Sequence, residues 1–318
     1  MKIASIDIGT NTLRLLIGAV QKDGHIIDSH LMREITRLGG GFDGKRLHPD
    51  SEKRTLRAVK IFSDVIKEAG VKKVRASATS VVREAENGKE FIDEIKSLTG
   101  INVDIISGDI EAALTLKGVL SALYQKESKA LVFDIGGGST EYIIAESGKV
   151  IGLNSLNMGV VSLTEKYLKS DPPSADNLSN IRSAVDSFLL ALKTPGSGLP
   201  ELSHMGGNSG SILVGTAGTI TTLAALDQNL EIYDSRKINN YVLTKDAIDK
   251  LFKRLSGMTH EERVAIKALE EGRADLIIAG TIIVQRTMEE FGFNELVVSD
   301  YGLLEGLLID EAERQGLT

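Results

Sequence analysis

Leu131-Val132-Phe133-Asp134-Ile135-Gly136-Gly137-Gly138-Ser139-Thr140-Glu141-Tyr142-Ile143-Ile144 is the stretch whose reading decides the fold of this 318-residue chain. The run before Asp134 is short, apolar and rich in β-branched and aromatic residues, which predicts a buried strand. Gly136, Gly137 and Gly138 then permit a tight turn and place no Cβ in the way of a ligand. Successive turn amides can converge on an anion. Asp134 ends the first strand and Glu141 begins the returning one. Two carboxylates beside such a nest suit phosphate together with Mg²⁺ or Mn²⁺, because the cation offsets charge that would otherwise repel. Taken singly, the stretch reads equally well as a glycine hairpin with two surface acids.

The pattern occurs twice. Ile6-Asp7-Ile8-Gly9-Thr10-Asn11-Thr12-Leu13-Arg14-Leu15 lies over Phe133–Tyr142 without a gap, 127 positions apart. Asp, Ile and Gly coincide, and Thr12 stands where Ser139 does. A period of that length is too long for a solenoid unit. It predicts two like-folded domains, each offering a phosphate-gripping hairpin to a shared cleft. The hairpins resemble those of the actin, sugar kinase and 70-kDa chaperone ATPase superfamily. The expected fold class is therefore α/β: two ribonuclease H-like (actin-like ATPase) domains with a central cleft. Their expected bounds are 1–125 with 302–318, and 126–301.

Composition agrees with a folded chain of two domains. Hydrophobic residues make up 42% and charged residues 25%, which is globular rather than disordered. Cysteine is absent, so disulfides and thiolate metal sites are excluded and a reducing compartment is allowed. The first residues carry no apolar segment of signal length, and no apolar run reaches the roughly 20 residues that span a bilayer. A cytoplasmic protein without membrane attachment is expected. The net charge of −7 opposes non-specific nucleic-acid binding, which needs a basic surface. It leaves room for a small or linear polyphosphate held by a local cluster of Arg, Lys and metal.

Periodicity predicts strands over 2–8, 12–20, 25–38, 72–77, 102–106, 148–156, 211–214 and 295–299. Helices are expected over 50–69, from Asn87 as N-cap to Gly100, from 108 to about 125, over 157–167, from 174 to about 192, and from 218 onward. Others are expected over 244–255, 259–269, 273–290 with a break at Gly280, and 301–313. Residues 194–209, rich in Gly, Pro and Ser, read as a surface loop. Glu111 lies in a first helical turn. It reads as a carboxylate favoured by the helix dipole or as a general base beyond a strand end. Gly215-Thr216-Ala217-Gly218-Thr219 is a second strand-to-helix turn. It is either plain or a phosphate cradle, and Gly218 and Thr219 are its candidate contacts.

Several blocks together carry a closer resemblance. They are Asp7–Thr12, Ala78–Arg83, Ile106–Ala112, Asp134–Glu141, Met158–Thr164, Gly215–Thr219 and Val298–Leu303. On these the chain resembles the exopolyphosphatase and guanosine pentaphosphate phosphatase (Ppx/GppA) family. The resemblance implies hydrolysis of a terminal phosphoanhydride of inorganic polyphosphate or guanosine pentaphosphate, with release of orthophosphate. It implies Glu111 as general base, and Asp134 and Glu141 as the acids that hold Mg²⁺ or Mn²⁺ and position water. The implied substrate contacts are Asp7, Gly9, Thr10, Asn11, Thr12, Arg14, Arg83, Gly136, Gly137, Gly138, Ser139, Gly218, Thr219 and Arg273. It leaves a homodimer open. Two departures stand out. Leu304 occupies a place where the family usually has Arg, and the chain ends at Thr318, as in the short two-domain members. Both features, with the net negative charge, lead to the expectation that a long polyanion is released often. Two other readings stay open: a small-molecule kinase of the same superfamily, and a sensor that binds a guanosine alarmone without turning it over.

Overall fold

A computed structural model describes residues 1–317 apart from 23, 125–128, 195, 200–204 and 206–209, with the side chains of Asp28 and Glu271 also left aside. The chain divides into two compact units, residues 1–121 with 301–318 and residues 122–300. The expected boundary at 125/126, and most of the loop expected at 194–209, fall outside the described residues.

Unit 1 begins with β1 (Ile3–Ile8), β2 (Leu13–Val20) and β3 (Ile26–Glu34), an antiparallel meander. Helix α1 (Pro49–Glu68) follows. Its proline occupies the first turn, where the missing N–H costs nothing. The His48 side chain accepts from the Asp50 amide at 3.3 Å, and Gly70 closes the end at φ +67°. Next come β4 (Val74–Ala78), α2 (Ser80–Glu84), α3 (Gly88–Thr99), β5 (Val103–Ile105) and α4 (Gly108–Ala122). The closing helix, α12 (Leu303–Arg314), returns to this unit and packs on β1, β2 and β4. The sheet order is β3-β2-β1-β4-β5, with β1, β4 and β5 parallel.

Unit 2 repeats that order. Strands β6 (Ala130–Ile135), β7 (Thr140–Glu146) and β8 (Lys149–Leu156) form the meander, followed by α5 (Val160–Tyr167) and α6 (Ala175–Leu192). Then come β9 (Ile212–Thr216), α7 (Gly218–Asp227), α8 (Ser235–Ile238), β10 (Val242–Thr244), α9 (Lys245–Ser256), α10 (His260–Val264), α11 (Ile277–Glu290) and β11 (Glu295–Val298). Its sheet runs β10-β11-β9-β6-β7-β8. Read from β8 to β11, it is the unit 1 order with β10 added at the edge. The repeat seen in two hairpins is thus a repeat of whole sheets, as the actin-like fold class requires.

The core of unit 2 centres on α11, which is apolar nearly all round and buried along most of its length, as a helix inside a core should be. Tyr142 is fully buried. Its ring stacks on Phe133 at 6.0 Å and its hydroxyl bonds Thr287 of α11 at 2.7 Å. Burying a side chain of that size stabilises by roughly 1.5–3 kcal/mol, and here it ties β7 to the helix behind it.

Four expectations change. Strand β3 stops at Glu34 instead of reaching 38, because the chain leaves the sheet. Arg37 turns left-handed at φ +46° and its amide bonds the Asn11 carbonyl at 2.9 Å. Gly280 does not break α11. A Cβ there would overlap Thr219 Oγ1, so the glycine admits α7 at close range. Helix α10 ends at Val264, because residues 265–270 close in successive tight turns. Asn87 stands at the N-cap of α3 but makes no side-chain cap bond. Its amide instead takes the Leu47 N–H and donates to Glu52, both at 2.8 Å. Helix α8 and strand β10 had no sequence signal beyond a few polar residues.

Candidate active site

The two hairpins close alike. The Gly9 amide donates to Thr12 O at 3.1 Å, and the Gly136 amide donates to Ser139 O at 2.9 Å. A Cβ on either glycine would lie 3.0 Å from that same carbonyl, a spacing that only glycine takes without a shift. Each hairpin is also clamped through a carbonyl at the matching place. Thr10 O accepts from the Gly39 amide at 2.8 Å, and Gly137 O accepts from the Val161 amide at 2.9 Å. The amides of Gly137 and Gly138 have no backbone acceptor among the described residues. They therefore stay available to an anion in the manner of a nest.

The hairpins differ in the charges they carry. In unit 1 Asp7 stands opposite Arg14 across β1 and β2; in unit 2 Asp134 stands opposite Glu141 across β6 and β7. The first pair neutralises itself: Arg14 Nη2 and Nε reach Asp7 Oδ2 at 2.6 and 3.0 Å. The second places two carboxylates directly across from one another, an arrangement that destabilises a sheet unless positive charge joins it. Glu141 is 1% exposed and accepts from Ser155 Oγ at 2.7 Å. This donor set fits Mg²⁺ or Mn²⁺, which bind through one or two carboxylates plus water and phosphate oxygens. Among the described residues no cluster of three or more His, Cys, Asp or Glu assembles a metal site, and a phosphate-bridged cation needs none.

Arg14, named as a substrate contact, is thus first the counter-ion of Asp7. Asp7 Oδ1 and Asn11 Oδ1 are buried acceptors without a hydrogen-bond partner. A phosphate oxygen is itself an acceptor, so these two atoms meet a phosphate only through a water or a cation.

Glu111 and Arg83 meet in unit 1. Ser107 caps α4, its carbonyl accepting from the Glu111 amide at 2.9 Å. This fixes Glu111, 8% exposed, in the first helical turn. Arg83, at the end of α2, donates from Nη1 to Glu111 Oε2 at 3.2 Å and to Ile106 O at 2.8 Å. Hairpin 1, Arg83 and Glu111 all lie just beyond the carboxyl ends of the parallel strands β1, β4 and β5, the edge at which open α/β sheets bind ligands.

Unit 2 builds its own set at the matching edge. Asp134 pairs in register with Thr216, so hairpin 2 and the start of α7 emerge side by side. Gly218 opens α7, and a Cβ there would overlap the Arg273 guanidinium. A guanidinium packed against a helix N-terminus sets two anion-attracting groups at one place. Ala217 takes φ +72° and ψ −177°, a region otherwise left to glycine and costing on the order of 1–3 kcal/mol. Ala217→Gly should relieve that strain. The net gain should be about 1 kcal/mol after the entropy of glycine is subtracted, seen as a higher urea midpoint with an unchanged slope. A lower midpoint would show that the Ala217 methyl packs favourably enough to outweigh the strain.

Leu304 is not at a ligand-facing position. It is fully buried with Ile3, Leu16, Leu308 and Ala312 and packs in that core. Sequence reasoning missed Gly118 and Gly306. A Cβ on Gly118 would overlap Gly302 O, and one on Gly306 would overlap Leu114 O. These glycines let α4, which carries Glu111, cross α12 at backbone distance. Only the spacing of small residues in the two helices could have signalled it.

Comparison with known proteins bears on the family and the fold. A model of the Ppx/GppA phosphatase family matches residues 19–315. The chain is similar to Exopolyphosphatase 2 of Mycobacterium tuberculosis, 34% identical over 98% of both chains. It is also similar to the Guanosine-5'-triphosphate,3'-diphosphate pyrophosphatase of Vibrio cholerae, 28% identical over 96% of this chain and 58% of that one. Among solved structures it is similar to the Aquifex aeolicus Ppx/GppA family member. That match has a TM-score of 0.81 and 35% identity, over 100% of this chain and 99% of the other.

Proposed function

From the premise that this chain belongs to the Ppx/GppA phosphatase family, we propose that it is an exopolyphosphatase. It hydrolyses the terminal phosphoanhydride of inorganic polyphosphate, releases orthophosphate, and acts on guanosine pentaphosphate as a second substrate. The observation that carries the reading is Glu111, held at a helix start with a guanidinium beside it. In this reading Glu111 takes a proton from a water whose oxygen attacks the terminal phosphorus. The bond from that phosphorus to the bridging oxygen breaks, and the shortened chain leaves with the electron pair. Phosphoryl transfer needs positioning and charge neutralisation more than covalent help.

The Gly137 and Gly138 amides, the α7 start at Gly218 and Thr219, and Arg273 are the phosphate-binding groups of unit 2. Arg83 restrains Glu111 and adds positive charge beside it. Asp134 and Glu141 would hold Mg²⁺ or Mn²⁺, and that cation would supply charge neutralisation.

The test is orthophosphate release from polyphosphate and from guanosine pentaphosphate, side by side, without any acceptor. Release from both is expected. Transfer of the phosphoryl group to a small hydroxylic acceptor, with no orthophosphate set free, would favour the kinase. Tight binding of the guanosine nucleotide with no release from either would favour the sensor.

A further inference from the structure

Arg263 stands apart from every residue so far assigned a role, yet it is 4% exposed. A buried guanidinium is costly unless its N–H groups are met, and four of the five are met here. Its Nε donates to Ala274 O at 2.7 Å. Nη1 donates to Met258 O at 2.6 Å and Leu255 O at 3.3 Å. Nη2 reaches Asp171 Oδ1 at 3.3 Å. Leu255 lies in the last turn of α9 and Met258 two residues beyond its end. Ala274 begins the approach to α11. One planar fork therefore joins three pieces of chain, and a lysine, with three donors on one atom, cannot span them.

What this junction holds is the turn that carries Arg273. Residues 265–276 lie between α10 and α11 and have no strand or long helix to stiffen them. Arg273 precedes the bonded Ala274, pairs with Glu270 at 2.7 Å, and packs on Gly218 at the start of α7. We infer that Arg263 is the positioning residue for Arg273: it pins the 270–274 turn so that the Arg273 guanidinium stays over the α7 N-terminus, where it meets anionic substrate. This rests on the reading of Arg273 as a substrate contact given above. Burial alone pulls the Arg263 guanidinium pKa down, opposed by Asp171, but at neutral pH the group keeps its charge.

The test is a double-mutant cycle on the full chain, using Arg263→Lys and Arg273→Met, each alone and together. It is read as KM and kcat for orthophosphate release from tripolyphosphate, and as tripolyphosphate binding by calorimetry in chelator. Each single change should raise KM and weaken binding by about tenfold to hundredfold, the size of one charge-assisted contact. Turnover at saturation should fall far less, and the double variant should be no worse than Arg273→Met alone. A purely structural Arg263 would instead leave KM near wild type, or give losses that multiply; either result overturns the inference. Asp171→Asn keeps Arg263 in place but weakens its fourth bond, so it serves if Arg263→Lys does not fold. It should raise KM severalfold in the wild-type background and not at all in Arg273→Met, and an equal rise in both overturns the inference. Wild-type protein that neither binds nor cleaves polyphosphate would overturn the functional reading, a different result from additivity in an active enzyme.

Discussion

Glu111→Gln should lower the rate of orthophosphate release by roughly 10²–10⁴, the range that general-base assistance contributes. The change keeps the size and most hydrogen-bonding capacity of the side chain. Arg83 can still donate to the remaining amide oxygen, as it now donates to Glu111 Oε2 at 3.2 Å. The Ser107 cap does not involve the side chain at all. Melting temperature and substrate affinity should therefore stay close to wild type, and the loss should appear in kcat. Substrate affinity is best read in calcium or chelator, where turnover does not interfere. Turnover within about threefold of wild type would remove Glu111 from the proton transfer and return it to the role of a helix-start carboxylate.

The second large effect concerns divalent cation. Stripping Mg²⁺ and Mn²⁺ with chelator should abolish turnover, because a bound cation supplies several kcal/mol at the transferring phosphate and each 1.36 kcal/mol is tenfold in rate. The strand register says where that dependence should lie. Asp134 and Glu141 face one another across β6 and β7, while in the matching places of unit 1 Asp7 faces Arg14 and pairs with it through Oδ2. Asp134→Asn and Glu141→Gln should each weaken Mn²⁺ binding, measured by the loss of free Mn²⁺ signal in electron paramagnetic resonance. Arg14→Gln should not weaken it. Equal Mn²⁺ affinity in wild type and Glu141→Gln, or full activity in chelator, would take the metal away from hairpin 2.

Much of the fold was legible because it rests on local chemistry. The closing bond of each hairpin needs a glycine at 9 and 136 for lack of space beside Thr12 O and Ser139 O. Such a requirement prints itself on the sequence as the same residue at the same offset. Amphipathic spacing in α1, a proline in its first turn and glycines at φ +67° and +77° after α1 and α3 are equally local. From them come the elements, the repeat and the two-domain class.

What tertiary structure decided is which side chains became partners. Arg83 meets Glu111 across 28 positions, Asn87 turns to Leu47 across 40, and Arg263 reaches Asp171 across 92. Gly118 and Gly306 matter because two helices cross there, and Gly280 because Thr219 comes against it. No periodicity encodes these pairs, since each depends on where distant backbone lies once the sheets have formed. Sequence alone determined the candidate residues and the turns that present them. Folding decided which charged side chains face one another, Asp7 with Arg14 and Asp134 with Glu141, because that outcome follows from strand register rather than from residue type.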